Sequence, residues 1–512
     1  MTEVERGERP SRLWSWLGAP RDIAALVVFR VALGSLITVS AARFLAYGWV
    51  DELFVRPRFH FTYWGFGWVP ALPAPWMHAV FVALGVLGLC VAVGLFYRQA
   101  VALLFVTFTY VQLVDVTNYL NHYYLVSLLL GLLCFVPAHR AFSVDAWRNP
   151  ALRRDWLPAW CTYLLRFQVA VVYVFAGLAK LTSDWLLHAQ PLNIWLSARA
   201  SLPLVGPLLE ERWVAYAAAW GGFLFDTTIV LFLLSRRLRP FAYAVVLGFH
   251  AATSALFPIG MFPVIMVTAA LVFFEPSWPR WFGERLGTRC AGRAPREEPP
   301  GMSASSRGLT APGWKARVGL GAAVVYGLVQ LLLPLRSHLY GGNVLWHEQG
   351  MRFSWRVMAR EKNGSVTFMV RDVRTGREWH VPPSQYLTRL QEREMSVQPD
   401  LILQLAHHIA RDFEARRKEP VQVRADARVS WNGRPAEVFV DPEVDLAREV
   451  EELAPKPWIR PAPVSPPVHL RPTRATAGGI GSWTRKWRAP AVALETRHPS
   501  SSAALSQARS AP

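Results

Sequence analysis

Lys180 is the residue of this sequence best placed for proton chemistry. It ends an apolar run that starts near Tyr163, and the polar stretch TSDW follows it at once. Burial of a lysine disfavours its charged form, which leaves a neutral amine that can accept a proton. The alternative is a lysine whose aliphatic stem lies along the helix end while its ammonium reaches the lipid headgroups.

Two histidines are further candidates for polar chemistry inside apolar surroundings. Asn121 and His122 begin an apolar run, and two tyrosines follow them. His250 lies in another apolar run, within the stretch GFHAATSALFPIGMF. Ionisable groups near a membrane span are costly, so each indicates a functional site. The alternative for both histidines is a structural role, in which hydrogen bonds to the surrounding protein satisfy the ring.

Three other charged residues, Arg30, Arg166 and Asp226, stand inside apolar runs, and we expect them to form buried ion pairs that set helix packing. The sequence contains no Ser-His-Asp pattern, no phosphate-binding loop and no cluster with metal-ligand spacing, so we expect no metal site.

The composition indicates a membrane protein. Of the 512 residues, 52% are hydrophobic and only 18% are charged, which is more apolar than is usual for a soluble chain. The net charge of +19 does not indicate nucleic acid, because the basic residues lie in loops between apolar runs and in the last third of the chain.

Nine apolar runs are candidates for spanning helices, which need about 20 mostly apolar residues. They lie near residues 23–46, 76–97, 99–115, 121–138, 159–181, 213–235, 240–256, 260–275 and 317–335. The eighth is short and contains Pro263, so it is also compatible with a re-entrant segment. The sequence therefore predicts a polytopic α-helical membrane protein of about nine transmembrane helices, with a membrane domain over residues 23–335.

The basic residues of the short loops predict the orientation of a multi-pass cell membrane protein. They concentrate on one side if residues 1–22 form a cytoplasmic N-terminus. Nine spans then bring the C-terminal part to the extracytoplasmic side. Lys180 and His122 lie at helix ends on that same outer side.

Residues 336–454 have the pattern of a small α+β extracytoplasmic domain. SVTFMVRDV, RTG and REWHV form one predicted hairpin, and Asn432-Gly433 joins the strands of a second. Residues 398–417 form a predicted amphipathic helix. Residues 455–512 are rich in Pro, Ser, Ala and Arg, and we expect them to be disordered.

Several stretches resemble the vitamin K-dependent γ-glutamyl carboxylase family, whose membrane domain is shared with bacterial proteins. They are YVFAGLAKLTSDW, TNYLNHYYL, HAATSALFPIGMF, GLFYRQAVALLF, GNVLWHEQGMRFSW and FVDPEVD, which occur in the family's order. The resemblance implies an enzyme that uses reduced vitamin K, or a menaquinol-type naphthohydroquinone, with O2 and CO2. Its product is γ-carboxyglutamate in a protein or peptide, and it leaves the isoprenoid quinone as an epoxide. Membrane lipid is an implied partner and nucleic acid is not.

The resemblance also implies roles for particular residues. Lys180 matches the family's active-site lysine, which deprotonates the hydroquinone, and His122 matches its quinone-orienting histidine. Asn121 and His250 belong to the same motifs and are candidates for quinone or substrate binding. The other candidates for substrate binding are Trp346, Ser354, Trp355 and, through its guanidinium, Arg199. Interfacial tryptophans are the alternative for the two indoles.

Two other functions are compatible with these residues. One is a quinone-binding membrane protein of the same fold that lacks carboxylase activity, because Met351 stands where the family has a tyrosine tied to glutamate binding. The other is a transporter or channel, although the sequence shows no paired interrupted helices in repeated halves.

Overall fold

The computed structural model describes residues 12–285 and 313–468. In these ranges a helical membrane part is followed by a small sheet-containing domain. Each of the nine apolar runs contains a helix: α1 (Ala24–Ala46), α2 (Ala74–Val93), α3 (Tyr97–Val114), α4 (Asn121–Leu133), α5 (Trp160–Leu178), α6 (Arg212–Leu234), α7 (Arg239–Leu256), α8 (Phe262–Ala270) and α9 (Trp314–Leu335).

The number of spans differs from the expected nine. Among the described residues, six helices are long and apolar enough to cross a membrane: α1, α2, α3, α5, α6 and α9. A seventh span is possible if α8, its 3-10 extension to Phe273 and Trp278–Arg285 form one span, but these segments meet at a 100° bend. Helix α4 starts at Asn121 as expected but has only 13 residues, because it ends at Leu133 and not at residue 138.

Close approach of small residues joins the first two helices. A Cβ atom on Gly34 would lie 2.5 Å from the carbonyl oxygen of Gly88, so any larger residue would push the helices apart. Thr38 Oγ1 donates to the Gly34 carbonyl within α1 and to the Gly85 carbonyl of α2 across this contact. Small residues and interhelical hydrogen bonds of this kind are how helices associate in lipid, where apolar burial gives little driving force.

Arg30 is buried and Arg166 is partly buried, and neither forms the expected ion pair with another described residue. Arg30 donates to the carbonyls of Ala138 and Phe142 at 2.9 and 2.6 Å. Arg166 donates to the carbonyls of Val272 and Phe274 at 2.6 and 2.9 Å. Carbonyls near helix ends lack partners within their helix, so a guanidinium, with five donors, can satisfy several of them at once.

The domain after α9 contains a four-stranded antiparallel sheet, and both predicted hairpins are confirmed. Its strands are β1 (Lys362–Asp372), β2 (Glu378–Val381), β3 (Val421–Trp431) and β4 (Glu437–Val438), in the order β2-β1-β3-β4. Helices α10 (Arg389–Met395) and α11 (Pro399–Arg417) pack on it. The predicted amphipathic helix is confirmed by the complete burial of Leu401, Leu405 and Ile409.

The packed part of this domain continues past the expected boundary at residue 455. Trp458 is buried, and Ile459 forms an isolated β-bridge with Val440. The structure describes the chain to residue 468, so a disordered segment cannot begin at Pro455. A Pro-rich segment in an extended conformation can still pack against the edge of a sheet. Composition alone does not reveal such packing. Residues 469–512 and 1–11 lie outside the described residues.

Candidate functional site

Lys180 lies just beyond the last turn of α5 and forms a buried ion pair. Its Nζ is 2.6 Å from Asp226 Oδ2 and also donates to the Ala176 carbonyl at 3.1 Å. The residue is only 6% exposed, so it does not extend outward as a lysine reaching for headgroups would. The expectation of a neutral amine did not include a partner, and the structure places a carboxyl group within direct hydrogen-bond distance of this amine.

Close packing of α5 against α6 makes this pair possible. A Cβ atom on Gly177 would lie 2.6 Å from Thr227 Cγ2 and 3.0 Å from the Thr227 amide nitrogen. Glycine is therefore required for the two backbones to approach this closely. The approach brings Asp226 to Lys180, which stands three residues after Gly177.

Asp226 is a candidate site residue that sequence reasoning missed. It was assigned to helix packing together with Arg30 and Arg166, but its partner is the candidate catalytic lysine. The available signal was a single acid inside an apolar run, since such a residue normally needs a cationic partner in the same membrane region. The sequence separation of 46 residues hid that partner.

A cluster of aromatic rings extends from the ion pair to His250. Phe225, the residue before Asp226, has its ring 6.1 Å from the imidazole of His250. Tyr173 lies on α5, and its hydroxyl is 3.3 Å from His250 Nε2. His250 is 2% exposed, and its Nδ1 has no hydrogen-bond partner among the described residues. The ring thus has a hydrogen-bond partner for only one of its two nitrogens among the described residues.

Phe262 continues this cluster toward His122. Its ring centroid is 5.8 Å from that of His250 and 6.0 Å from that of His122. His122 is buried in the first turn of α4, where its ring also contacts Tyr123 at 4.6 Å. The rings of both candidate histidines therefore lie close to the ring of the same phenylalanine.

The segment after α9 inserts between the outer helix ends beside His122. Trp355 is 1% exposed and stacks on Tyr124 at 4.9 Å, within the core of the membrane part. Asn121 accepts a hydrogen bond from the Tyr119 hydroxyl, which in turn accepts one from the Phe353 amide. Phe353 and Trp355 have φ values of 62° and 58°, so the inserted loop is held in a conformation that L-residues rarely adopt.

The remaining predicted substrate-binding residues have separate environments. Ser354 is buried and donates to the Met351 carbonyl within the same loop. Trp346 is a core residue of the extracytoplasmic domain, since it is 1% exposed and its Nε1 donates to the Arg460 carbonyl at 2.7 Å. Arg199 Nε donates to the Leu256 carbonyl at 2.8 Å, at the end of α7. The structure thus brings Ser354 and Trp355 to the His122 end but leaves Trp346 inside the other domain.

The TSDW stretch fastens the extracytoplasmic domain to the membrane part. Asp184 accepts two hydrogen bonds from Arg434, both at 2.7 Å, and one from Asn432 at 2.9 Å. Both side chains of the Asp184–Arg434 pair are less than a tenth exposed. The ring of Trp185 lies 5.2 Å from Lys180 Nζ, and its Nε1 donates to the Ala219 carbonyl of α6. This stretch therefore connects the domain to the immediate surroundings of the lysine.

A second contact between the two parts involves Glu361. Its Oε2 accepts a hydrogen bond from Trp195 Nε1 at 2.7 Å, and its Oε1 accepts one from Asn363. Burial raises the pKa of Glu361 above its ordinary value, while these two hydrogen bonds oppose the shift. A buried carboxylate thus lies at the junction of the two parts.

Comparison with protein families accounts for both parts of the chain. Residues 19–278, about half of the chain, match the HTTM domain, and residues 315–465 match the vitamin K-dependent gamma-carboxylase lumenal domain. The chain belongs to the vitamin K-dependent gamma-carboxylase family. It is a membrane protein whose C-terminal domain is extracytoplasmic. No solved structure matches it.

Proposed function

We propose that this protein is a membrane enzyme that couples the oxidation of a reduced naphthoquinone by O2 to the carboxylation of protein glutamate. The observation that carries the proposal is the buried Lys180–Asp226 pair beside the aromatic cluster of Tyr173, Phe225 and His250. It lies in a chain with both domains of the carboxylase family.

The ion pair is a suitable acceptor for one proton from the hydroquinone. With a single proton between them, the pair is either ammonium and carboxylate or amine and carboxylic acid. The amine of the second form takes up the proton from the hydroquinone, which gives ammonium and carboxylic acid. In a site with little water the neutral form is accessible, because it avoids two buried charges. Lys180 can therefore act as the base although Asp226 pairs with it.

The surrounding residues fit a naphthohydroquinone. The rings of Phe225, Phe262 and Tyr173 offer flat apolar surfaces, and the unpartnered Nδ1 of His250 can exchange a hydrogen bond with a ring hydroxyl. His122 and Asn121, at the start of α4, are the other residues that would orient the ring. When bound and oxidised by O2, the reduced quinone supplies the driving force for removing the weakly acidic γ-proton of glutamate.

The buried position of these groups supports both reactions. The buried rings of Tyr173, Phe225 and His250, together with Trp185 and Trp355, exclude water, which would otherwise quench a carbanion on glutamate. Isoprenoid quinone can arrive from the lipid, while the glutamyl chain comes from the extracytoplasmic side. We place the N-terminus in the cytoplasm because the basic loop residues then concentrate on the inner side.

A second candidate is a quinone-binding protein of the same fold without carboxylation. The residue that favours it is Met351, which lies in the inserted loop and whose Sδ is 3.4 Å from Arg360 Nε. This candidate predicts hydroquinone binding or oxidation with no fixation of CO2.

An assay that follows both products separates the two candidates. Full-length protein in lipid nanodiscs would receive reduced vitamin K, O2, labelled bicarbonate and a glutamyl peptide. We expect quinone epoxide and acid-stable label in the peptide. Epoxide without label favours the second candidate, and folded protein that yields neither product contradicts the proposal.

A further inference from the structure

Arg356 carries a guanidinium that has no acidic partner among the described residues. It follows Trp355 in the inserted loop, and its Nη2 donates to Ser337 Oγ at 3.0 Å. Its Nε is buried without an acceptor in the described part of the chain, whereas Nη1 is unbonded there but not buried, so a ligand can reach it. Burial lowers the pKa of Arg356 below its ordinary value, and no carboxylate opposes this shift.

Neighbouring arginines have the partners that Arg356 lacks. Arg352 pairs with Asp400, and Arg360 Nη2 lies 2.9 Å from Glu348 Oε2. A charge that is largely removed from water is costly unless an opposite charge or hydrogen bonds compensate it. The environment of Arg356 therefore favours an added anion.

The contact with Ser337 places this guanidinium at the edge of the membrane. Ser337 follows α9 by two residues, and the candidate span that contains α9 covers Trp314–Tyr340. Because the domain after α9 is extracytoplasmic, this end of the span lies in the outer leaflet. Leu339 is 81% exposed, and only two residues of α9 are buried, as expected for a helix that faces lipid. The guanidinium thus lies near the depth of the outer headgroups.

The anion present at that depth is the phosphate of a phospholipid. A guanidinium matches phosphate oxygens through paired donors in one plane. Arg336, directly before Ser337, adds a second positive charge; within the described residues its side chain donates to main-chain carbonyls and pairs with no acid. Two guanidinium groups without acids favour a lipid of net negative charge over a zwitterionic one.

Two other sources of an anion fit this position less well. Residues 469–512, which lie outside the described residues, contain seven Lys and Arg against one acid, so they would add positive charge. The carboxylate of a glutamyl substrate would have to react beside Lys180 and Asp226, which pair between α5 and α6. Arg356 instead contacts the segment that follows the lipid-facing helix α9. The position therefore supports a phospholipid as the occupant.

We infer that Arg356, together with Arg336, binds the phosphate of an anionic phospholipid in the outer leaflet. The Arg356 guanidinium donates to the phosphate oxygens, while Ser337 Oγ accepts from Nη2 and orients the group. The acyl chains of the lipid lie along the exposed apolar face of α9. Because Arg356 directly follows Trp355, the bound lipid also holds the inserted loop in place. This lipid site is independent of the proposed reaction.

The test is the thermal unfolding of the full chain in detergent micelles during titration with dioctanoyl phosphatidylglycerol. A ligand that binds the folded state raises the unfolding temperature, which gives its apparent affinity. Arg356→Gln should weaken lipid binding about tenfold or more, because it removes charge-assisted hydrogen bonds. Arg356→Lys keeps the charge and should weaken it less. Arg377→Gln, at an exposed position of the extracytoplasmic domain, should bind as wild type does.

Other arms of the experiment distinguish the sources of the anion. Dioctanoyl phosphatidylcholine should bind more weakly, and inorganic phosphate should not reproduce the stabilisation. Equal stabilisation by inorganic phosphate would overturn the assignment to a phospholipid, and so would stabilisation by a capped glutamyl peptide that Arg356→Gln abolishes.

The variants decide the role of Arg356 itself. Wild-type affinity for phosphatidylglycerol in Arg356→Gln would overturn the inference. If Arg356→Gln does not fold, Ser337→Ala supplies a second test, because it removes the acceptor of Nη2. Ser337→Ala should weaken lipid binding about threefold, as for one hydrogen bond, and an unchanged affinity in this variant would count against the site.

Discussion

Lys180 Nζ and Asp226 Oδ2 lie 2.6 Å apart between α5 and α6, and both side chains are less than a tenth exposed. The lysine follows the end of one helix and the acid lies within the other, so neither run of sequence identifies the pair by itself. The proposed enzyme depends on this pair as its proton acceptor.

Substitution of the acid should stop hydroquinone oxidation while the lysine remains. In Asp226→Asn the amide cannot hold the second proton, and the lysine loses the partner that shares its charge. We expect the rate to fall by about 10²- to 10⁴-fold, the usual contribution of a positioned acid or base. Asp22→Asn is the matched control, because it removes a different buried acid, which pairs with Arg280 and not with Lys180. An Asp226→Asn protein with the wild-type rate would remove this residue from the mechanism.

The close helix contact at Gly177 should be equally necessary. Gly177→Val adds atoms where Thr227 already lies 2.6 Å from the Cβ position, so α5 and α6 must separate. We expect loss of oxidation together with a lower unfolding temperature in nanodiscs. Gly221→Ala in α6 is the control, because no atom lies within 4 Å of its Cβ position. Full activity in Gly177→Val would mean that the ion pair tolerates a wider helix spacing.

His250 should affect hydroquinone binding more than turnover. His250→Leu removes a ring whose Nδ1 is unpartnered and whose Nε2 meets the Tyr173 hydroxyl at 3.3 Å. We expect the KM for the hydroquinone to rise about tenfold, as for the loss of one buried hydrogen bond. His78→Leu, which alters a histidine near Asp51, should leave KM unchanged. A normal KM in His250→Leu would mean that other residues bind and orient the quinone.

The Asp184–Arg434 pair should fasten the extracytoplasmic domain. Removing one partner leaves a buried charge, so Asp184→Asn or Arg434→Gln should each destabilise the protein by about 3–5 kcal/mol. The double variant Asp184→Asn with Arg434→Gln should be less destabilised than the sum of the two. Thermal unfolding and limited proteolysis would measure these effects. Strict additivity would indicate that the two side chains do not act as a pair.

The region after α9 should lose stability in mild acid because of His347. Its Nδ1 accepts a hydrogen bond from the Gln349 backbone amide, and its Nε2 donates one to the Gly341 carbonyl. These two bonds together require the neutral ring in the folded state. Burial lowers the pKa of His347 below its ordinary 6.5. The unfolded chain therefore binds more protons near pH 6.5, and the stabilisation present above that pH is lost as the pH falls.

The check is the unfolding temperature at about pH 7.5 and about pH 5.5, on either side of the unfolded-state pKa. We expect a larger decrease on acidification in wild type than in His347→Gln. His338→Gln, at an exposed position nearby, should behave as wild type. An equal decrease in all three proteins would assign the acid sensitivity to other groups.

Residue type and local sequence pattern were sufficient to predict part of this structure. The alternation around Asn432-Gly433 predicted a hairpin correctly, since strand period and turn chemistry are local properties. Each of the nine apolar runs contains a helix, but within residues 12–285 and 313–468 length and hydropathy support only six or seven spans. One helix ends at Leu133 and not at residue 138, and the chain bends sharply after Phe273, so two of the predicted runs form shorter helices than expected.

Contacts between distant segments were not predictable in the same way. Asp226 pairs with Lys180 only because Gly177 allows α6 to approach α5. Trp346 lies in the core of the extracytoplasmic domain, whereas Trp355, which is close to it in the sequence, lies in the core of the membrane part. Such relationships depend on how helices and domains pack, which one sequence does not encode locally. Residue type was sufficient to select the candidate lysine and histidine, whereas their contact partners could be identified only from the three-dimensional structure.

Hydroquinone oxidation by Lys180→Arg tests the central claim most directly. Arginine keeps a positive charge that can pair with Asp226, but it does not give up its proton in proteins. The account predicts a folded protein that binds the hydroquinone and forms no epoxide. Epoxide formation at the wild-type rate by this variant would contradict the assignment of the Lys180–Asp226 pair as the proton acceptor.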